Sequence, residues 1–497
     1  MFGWMAVPEL SEKLDVVRAV VPTLILPLAA VSLILNALAT FIAGLFGLEL
    51  KWEGPKRLIE VLLKPKVLLA ALLFNLFIVG GYYGFQYCKG FPSPLWYISF
   101  RNSRYRSNQV SPASQGERAL RNYTDSIQNW NQHKANPHPP HAPRSAPPTL
   151  KQAWKVKLPR GVFGAVTLSG ESAFVGSDDG NTYELDQKTG QILRRFYTGT
   201  PVTPSPIIWN SRLFIGEGEH YSHHCRIYSF DLKSGEFLGA FQTQGHTEGT
   251  PFLAEYQGVS SLFIPAGSDG IYAIDPLTLQ ERWHRKIGHA DAEVRTSGSL
   301  VFVGTGVEKG YWQRSHRAFA LDFLTGQERW KVELAESNWM APALIGKEVC
   351  FGTGEIYSKA HFGQLSCFEQ TTGKVTHKID VPAPLLGIPV QLGDKIFTSD
   401  LEGRVCAYGW PSATKLWCIQ SKGVKAFASV TPDGEGHLFY PTAHAGVAIL
   451  DDHSGQILKS WTPTASEGAW VKSYSRTVQG PDGWFIADST GTVRKLN

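Results

Sequence analysis

The chain has 497 residues, 43% of them hydrophobic and 18% charged, so a large core can be buried. Its 49 Gly and 30 Pro point to many turns rather than long soluble helices. The net charge of +5 is mild and much of the basic excess lies before residue 160; with no recognition motif present, nucleic acid is not an expected partner.

Residues 1–19 are an N-terminal segment, with an interfacial helix as one reading of it. From Val20 to Leu48 no residue is charged, a run longer than the ~20 residues that cross a bilayer. This predicts a first transmembrane helix over 20–48, with Pro22 and Pro27 placed to kink it early. A basic loop spans 49–66, and a second apolar run over 67–87 predicts a second transmembrane helix. That run ends in Tyr82, Tyr83, Phe85 and Tyr87, with Trp96 and Tyr97 beyond, which suits an aromatic belt. A cleaved leader fits badly, because the first run is too long and a second follows.

Lys51, Lys56, Arg57, Lys64 and Lys66 favour a cytoplasmic loop, although Lys13 and Arg18 on one side and Lys89, Arg101, Arg104 and Arg106 on the other oppose it. The preferred topology is a hairpin with both ends outside. Asn36 and Asn75 are the amides well inside the spans and no acid is buried there, which favours a plain anchor over a helix pair docking on a membrane partner. Residues 88–149 read as a linker. Its stretch NPHPPHAPRSAPP (136–148) cannot build a core and predicts an extended spacer.

The rest of the chain, 150–497, repeats a unit of strand, Gly turn, strand ending in an acid, Thr/Ser-Gly turn and strand. Examples are YELDQKTGQILRRF (183–196), YSFDLKSGEFLGAF (228–241), FALDFLTGQERW (319–330) and AILDDHSGQILKSW (448–461). The acid recurs at Asp186, Asp231, Asp275, Asp322, Glu369 and Asp451, with CAYGWPSATKLW (406–417) as a degenerate copy. A spacing of roughly 40–47 residues is the length of one propeller blade. The acid and Thr side chains bond to nearby backbone to fix a tight turn, and Gly supplies the left-handed conformation. At the C-terminus GTVRKLN (491–497) lacks an outer strand, while AWKVKL (153–158) resembles RWKVEL (329–334). Pairing the two ends closes a ring and removes sheet edges. The fold class expected is all-β: an eight-bladed propeller of four-stranded blades closed by an N-terminal strand and preceded by two transmembrane helices.

The ALDxxTGxxxW-type unit resembles the pyrroloquinoline-quinone-like repeat, and a ring of eight such blades is similar to BamB-type outer-membrane assembly factors and to quinoprotein dehydrogenases. The resemblance implies a periplasmic propeller, often without a cofactor. The dehydrogenases typically add a vicinal Cys pair, scattered calcium ligands and sometimes a haem domain. This chain has neither adjacent cysteines nor a Cys-x-x-Cys-His run, so the quinone PQQ is not the expected cofactor.

Aligning the blades puts Cys350 opposite Cys367 and Cys406 opposite Cys418. Both pairs are placed for cross-strand disulfides in an oxidising compartment, with buried free thiols as the alternative. Cys225 and Cys88 have no obvious partner.

Three blades carry a long loop between their second and third strands: GEGEHYSHHC (216–225), GTGVEKGYWQRSH (304–316) and GTGEIYSKAH (352–361). In a propeller these loops share a face with the starts of the inner strands, where GHTEGTP (245–251) and GHADAEV (288–294) offer His246 with Glu248 and His289 with Asp291. Together with Glu217, His220, His223 and His224 they are expected at the channel mouth. Imidazoles and carboxylates in one place suit a divalent metal such as zinc. Polar residues satisfied by water and backbone are the alternative.

No nucleophile–base set is recognisable, so the expected function is a binding module. It is a protein-interaction scaffold of a cell-envelope complex, anchored in a bacterial inner membrane with its propeller in the periplasm, and its partners are envelope or inner-membrane proteins. The competing reading is a metal- or quinone-dependent enzyme using the central channel.

Overall fold

The repeated acid turn has the same construction in blade after blade. In the first, Asp186 Oδ1 accepts hydrogen bonds from the backbone N–H of Lys188 and Thr189 and from the Thr189 hydroxyl, at 2.8–3.0 Å. The same pattern recurs at Asp231 with Ser234, at Asp322 with Thr325 and at Asp451 with Ser454. These bonds satisfy backbone donors that the sharp turn withdraws from the sheet ladder. A register shift follows at the start of the outer strand, for example between Glu184 and Leu185 and between Ala320 and Leu321.

The computed structural model describes residues 107–109, 123–125, 146–218, 222, 224–306, 316–355, 362–420, 428–442, 446–463 and 473–497. The apolar segments 20–48 and 67–87, the loop between them and most of the linker lie outside the described residues. Among the described residues no helix is long and apolar enough to cross a membrane.

Eight antiparallel sheets follow one another along the chain. Blades 1 to 7 span 167–197, 207–242, 252–285, 295–333, 343–381, 390–420 and 431–461. Blade 8 takes three strands from 478–496 and its fourth from Gln152–Lys157. That strand pairs with Thr492–Leu496 as predicted, so first and last strands share one sheet. Inner strands touch between neighbours, as in blades 4 and 5, and hydrophobic layers fill the space between blades. One such layer combines Phe263 and Trp283 of blade 3 with Val301, Val303, Phe319 and Leu321 of blade 4.

A tryptophan on the outer strand fastens each of several blades to the next. Trp283, Trp330 and Trp417 donate their Nε1–H to carbonyls just after the next blade's acid, those of Phe323, Gln370 and Asp452, at 3.0, 2.8 and 3.3 Å. Trp154 repeats this across the closure, donating to Gln187 O of blade 1 at 3.0 Å. Its indole lies on Gly190, where a Cβ would come within 2.6 Å of the ring and the φ of +74° also favours glycine. The Trp of AWKVKL therefore closes the ring through the same contact that joins interior blades.

Cys350 and Cys367 are joined across adjacent strands of blade 5 with an S–S distance of 2.03 Å, and Cys406 and Cys418 across blade 6 at 2.06 Å. Cys225 is a buried free thiol.

Two stretches of the linker, before the spacer 136–148, lie against blade 1. Ser107–Gln109 pairs antiparallel with Ile192–Tyr197 and adds a fifth strand to blade 1. Further on, the Tyr123 hydroxyl donates to Glu184 Oε1 at 2.9 Å, Thr124 N donates to Ser169 Oγ at 2.9 Å, and Asp125 Oδ1 accepts from Asn210 N at 2.8 Å. Two physical causes account for this. The outer strand of a blade leaves ladder groups free to pair, and Glu184 sits in a buried ion pair with Arg194 (2.8 Å) that a phenol can complete.

Candidate functional site

Antiparallel order dictates which loops share a face. Inner strands begin where outer strands end, so blade-to-blade connections lie beside the loops joining second to third strands. His246 is on the connection entering blade 3, six residues before Phe252; His289 is on the connection entering blade 4, six residues before Arg295. The two histidines thus occupy equivalent positions in successive blades.

They converge on one carboxylate. His246 Nε2 lies 2.7 Å from Asp291 Oδ1, and His289 Nε2 lies 2.8 Å from Asp291 Oδ2. The imidazole centroids are 5.2 Å apart. Side-chain exposure is 3% for His246, 4% for His289 and 10% for Asp291. Burial by itself would raise Asp291, but the charges and hydrogen bonds of His289 and His246 override it and hold the carboxyl well below its usual range.

Backbone pairs lock the carriers in place. Gly267 and Ala290 exchange two hydrogen bonds of 3.0 and 2.9 Å, and Gly306 N donates to His289 O at 2.9 Å. Gly267 leaves room for the His246 ring, since a Cβ there would sit 2.4 Å from Cε1.

The other expected ligands are placed differently. Glu217 does not join this cluster. Its carboxylate accepts hydrogen bonds from the Thr200 hydroxyl and from the Tyr228 hydroxyl (2.6 Å), and faces Arg226 at 3.6 Å. Its backbone nonetheless touches the site, because Thr247 Oγ1 donates to Glu217 O at 2.6 Å. Burial pushes Glu217 up to about 7, against the hydroxyl hydrogen bonds and Arg226, which favour the charged form. Glu248 is outside the group of donors, although it holds the position in its connection that Asp291 holds in the next. His220 and His223 lie outside the described residues.

A second group, His316, Glu336 and Glu355, lies one junction further on the same face, with its donor atoms also within 4.8 Å of one another. Sequence reasoning missed Glu336, which stands on the connection entering blade 5 without a neighbouring His. The signal available was positional: like His246 and His289, it precedes an inner strand on the loop-bearing face.

Arg295 on the inner strand of blade 4 and Arg476, two residues before the inner strand of blade 8, act on each other electrostatically. Arg295 is 1% exposed, reaches Glu293 at 3.2 Å and Val294 O at 2.7 Å, and lies over the Phe252 ring. Burial holds the Arg476 guanidinium well below its usual range; Glu293 opposes this and Arg295 adds to it.

A family profile described as outer membrane protein assembly factor BamB matches residues 146–316, 210–355 and 314–493. The search of curated proteins found no match. Among solved structures, the crystal structure of BamB from Moraxella catarrhalis is similar over 70% of this chain and 100% of its own, with 16% identity and a TM-score of 0.54. The computationally designed Ika8 protein is similar over 68% of this chain and 97% of its own, with 15% identity and a TM-score of 0.51. At such identities these two likenesses concern the fold alone. The profile, however, spans 146–493, well over half of the 497 residues, and the chain belongs to the family of the outer membrane protein assembly factor BamB.

Proposed function

We propose that this protein is a scaffold of a cell-envelope assembly complex, held at a bacterial inner membrane by the apolar segments 20–48 and 67–87, with its propeller in the periplasm binding protein partners. Family membership is the observation that carries this reading, because the family is described by an assembly factor. The ring suits the role: its first and last strands close one blade, and blades 2, 4 and 5 carry long segments after their second strands that are free to elaborate a binding surface. Two disulfides fit an oxidising compartment.

Gentle detergent extraction of the full chain, with a photo-crosslinking residue at Lys309 or Lys359 in the long loops, tests the reading. A stoichiometric envelope protein crosslinked from those positions, and not from Lys378 on an outer strand, is the expected result. A chain that purifies alone and crosslinks to nothing from either loop overturns it.

A further inference from the structure

We propose that His246, His289 and Asp291 bind one divalent transition metal of the zinc class, at the junction of blades 3 and 4 beneath the loop-bearing face. Two imidazoles and a carboxylate are the donor set of a three-ligand zinc site with an open fourth position. Calcium and magnesium prefer all-oxygen shells, so the same set disfavours them.

The geometry is close to that of a loaded site. Metal–ligand bonds of about 2.0–2.2 Å in a tetrahedral arrangement place neighbouring donor atoms about 3.3 Å apart. Here the two nitrogen–oxygen separations are 2.7 and 2.8 Å, in a group whose donor atoms all lie within 4.8 Å. Widening these two contacts by about 0.5 Å brings them to tetrahedral spacing, and binding releases the Nε2 protons that now bridge them, so that each imidazole offers Nε2 and carries its proton on Nδ1. The backbone pairs Gly267–Ala290 and His289–Gly306 hold the connection that carries His289 and Asp291, and Cys225 N donates to Gly245 O at 3.2 Å beside His246, so little ordering is left for the metal to impose. At 10% exposure or less, the three side chains are shielded from competing water. A bound ion would staple two successive blade connections just where the partner-binding loops emerge. The inference does not rest on the scaffold reading, and either can fail alone.

The test uses the full chain in detergent, stripped with a chelator, desalted and titrated with zinc chloride. One equivalent retained through gel filtration is expected by elemental analysis. His246→Ala and the milder Asp291→Asn are expected to weaken retention at least about 100-fold, whereas Glu336→Gln leaves it unchanged. Because a buried variant risks misfolding, X-ray absorption on the zinc-loaded unaltered chain supplies a second readout, with two imidazoles and oxygen expected around the ion. No metal retained by the unaltered chain, retention that survives His246→Ala, or a shell with a single imidazole overturns the proposal. Retention lost in Glu336→Gln also overturns it, in favour of the His316 group.

Discussion

Glu217 is a carboxyl group that the fold keeps out of water, and the consequence is a pH dependence. In the unfolded chain it ionises near 4.5; in the folded protein burial lifts it to about 7. The folded state therefore holds the proton more tightly. The resulting stabilisation is fully present below about pH 4.5 and is lost as the pH rises through 7, a change of order 3 kcal/mol. Thermal melts of the unaltered protein are expected to fall between about pH 4.5 and 7 and to level off above that, and Glu217→Gln to flatten the fall. Identical pH profiles for the two would show that Glu217 is already ionised in the fold. The sequence marked Glu217 as a channel-mouth ligand because it stands beside His-rich loops. Its chain neighbours did not reveal that Thr200, from the preceding blade connection, and Tyr228, across the sheet, would claim the carboxylate.

Between one blade and the next, the tryptophan contact is the recurring joint. Trp154→Ala at the closure and Trp283→Ala inside the ring remove the same indole from equivalent settings. Each is expected to cost about 3–5 kcal/mol in chemical denaturation; a cost under about 1 kcal/mol for Trp154 would show that backbone pairing alone closes the ring. The disulfides differ in access. Cys350 and Cys367 are fully buried, whereas Cys418 lies on an exposed outer strand. Mild reduction followed by alkylation and mass spectrometry is expected to label Cys406 and Cys418 first, and Cys350 and Cys367 only as the protein unfolds. Blade alignment made the facing positions of Cys350 with Cys367 and of Cys406 with Cys418 legible, because such positions on adjacent strands follow from strand length and turn position. The docking of Tyr123 was not, since nothing in a Pro- and Ser-rich context announces a partner on blade 1.

Across the whole ring, Arg295 of blade 4 repels Arg476, which precedes the inner strand of blade 8. A half-buried guanidinium that loses part of its hydration and feels a like charge is costly unless its remaining partners compensate. Arg476→Met is therefore expected to leave the melting temperature unchanged or raise it. A clear drop would mean that Glu293 and the other contacts of Arg476 outweigh desolvation and repulsion.

The sequence by itself determined the blade count, the closure through AWKVKL and the acid turns. Each depends on a short-range pattern repeated many times, and repetition makes the pattern visible without any knowledge of tertiary contacts. It also determined that His246, His289 and Asp291 stand at strand starts on one face. Only the tertiary structure decided that these three converge while Glu217 and Glu248 do not, and that part of the linker lies against blade 1. Such choices rest on separations of a few ångströms between side chains more than 40 residues apart, such as His246 and Asp291. The packing angle between neighbouring blades sets those separations, and no local pattern encodes it.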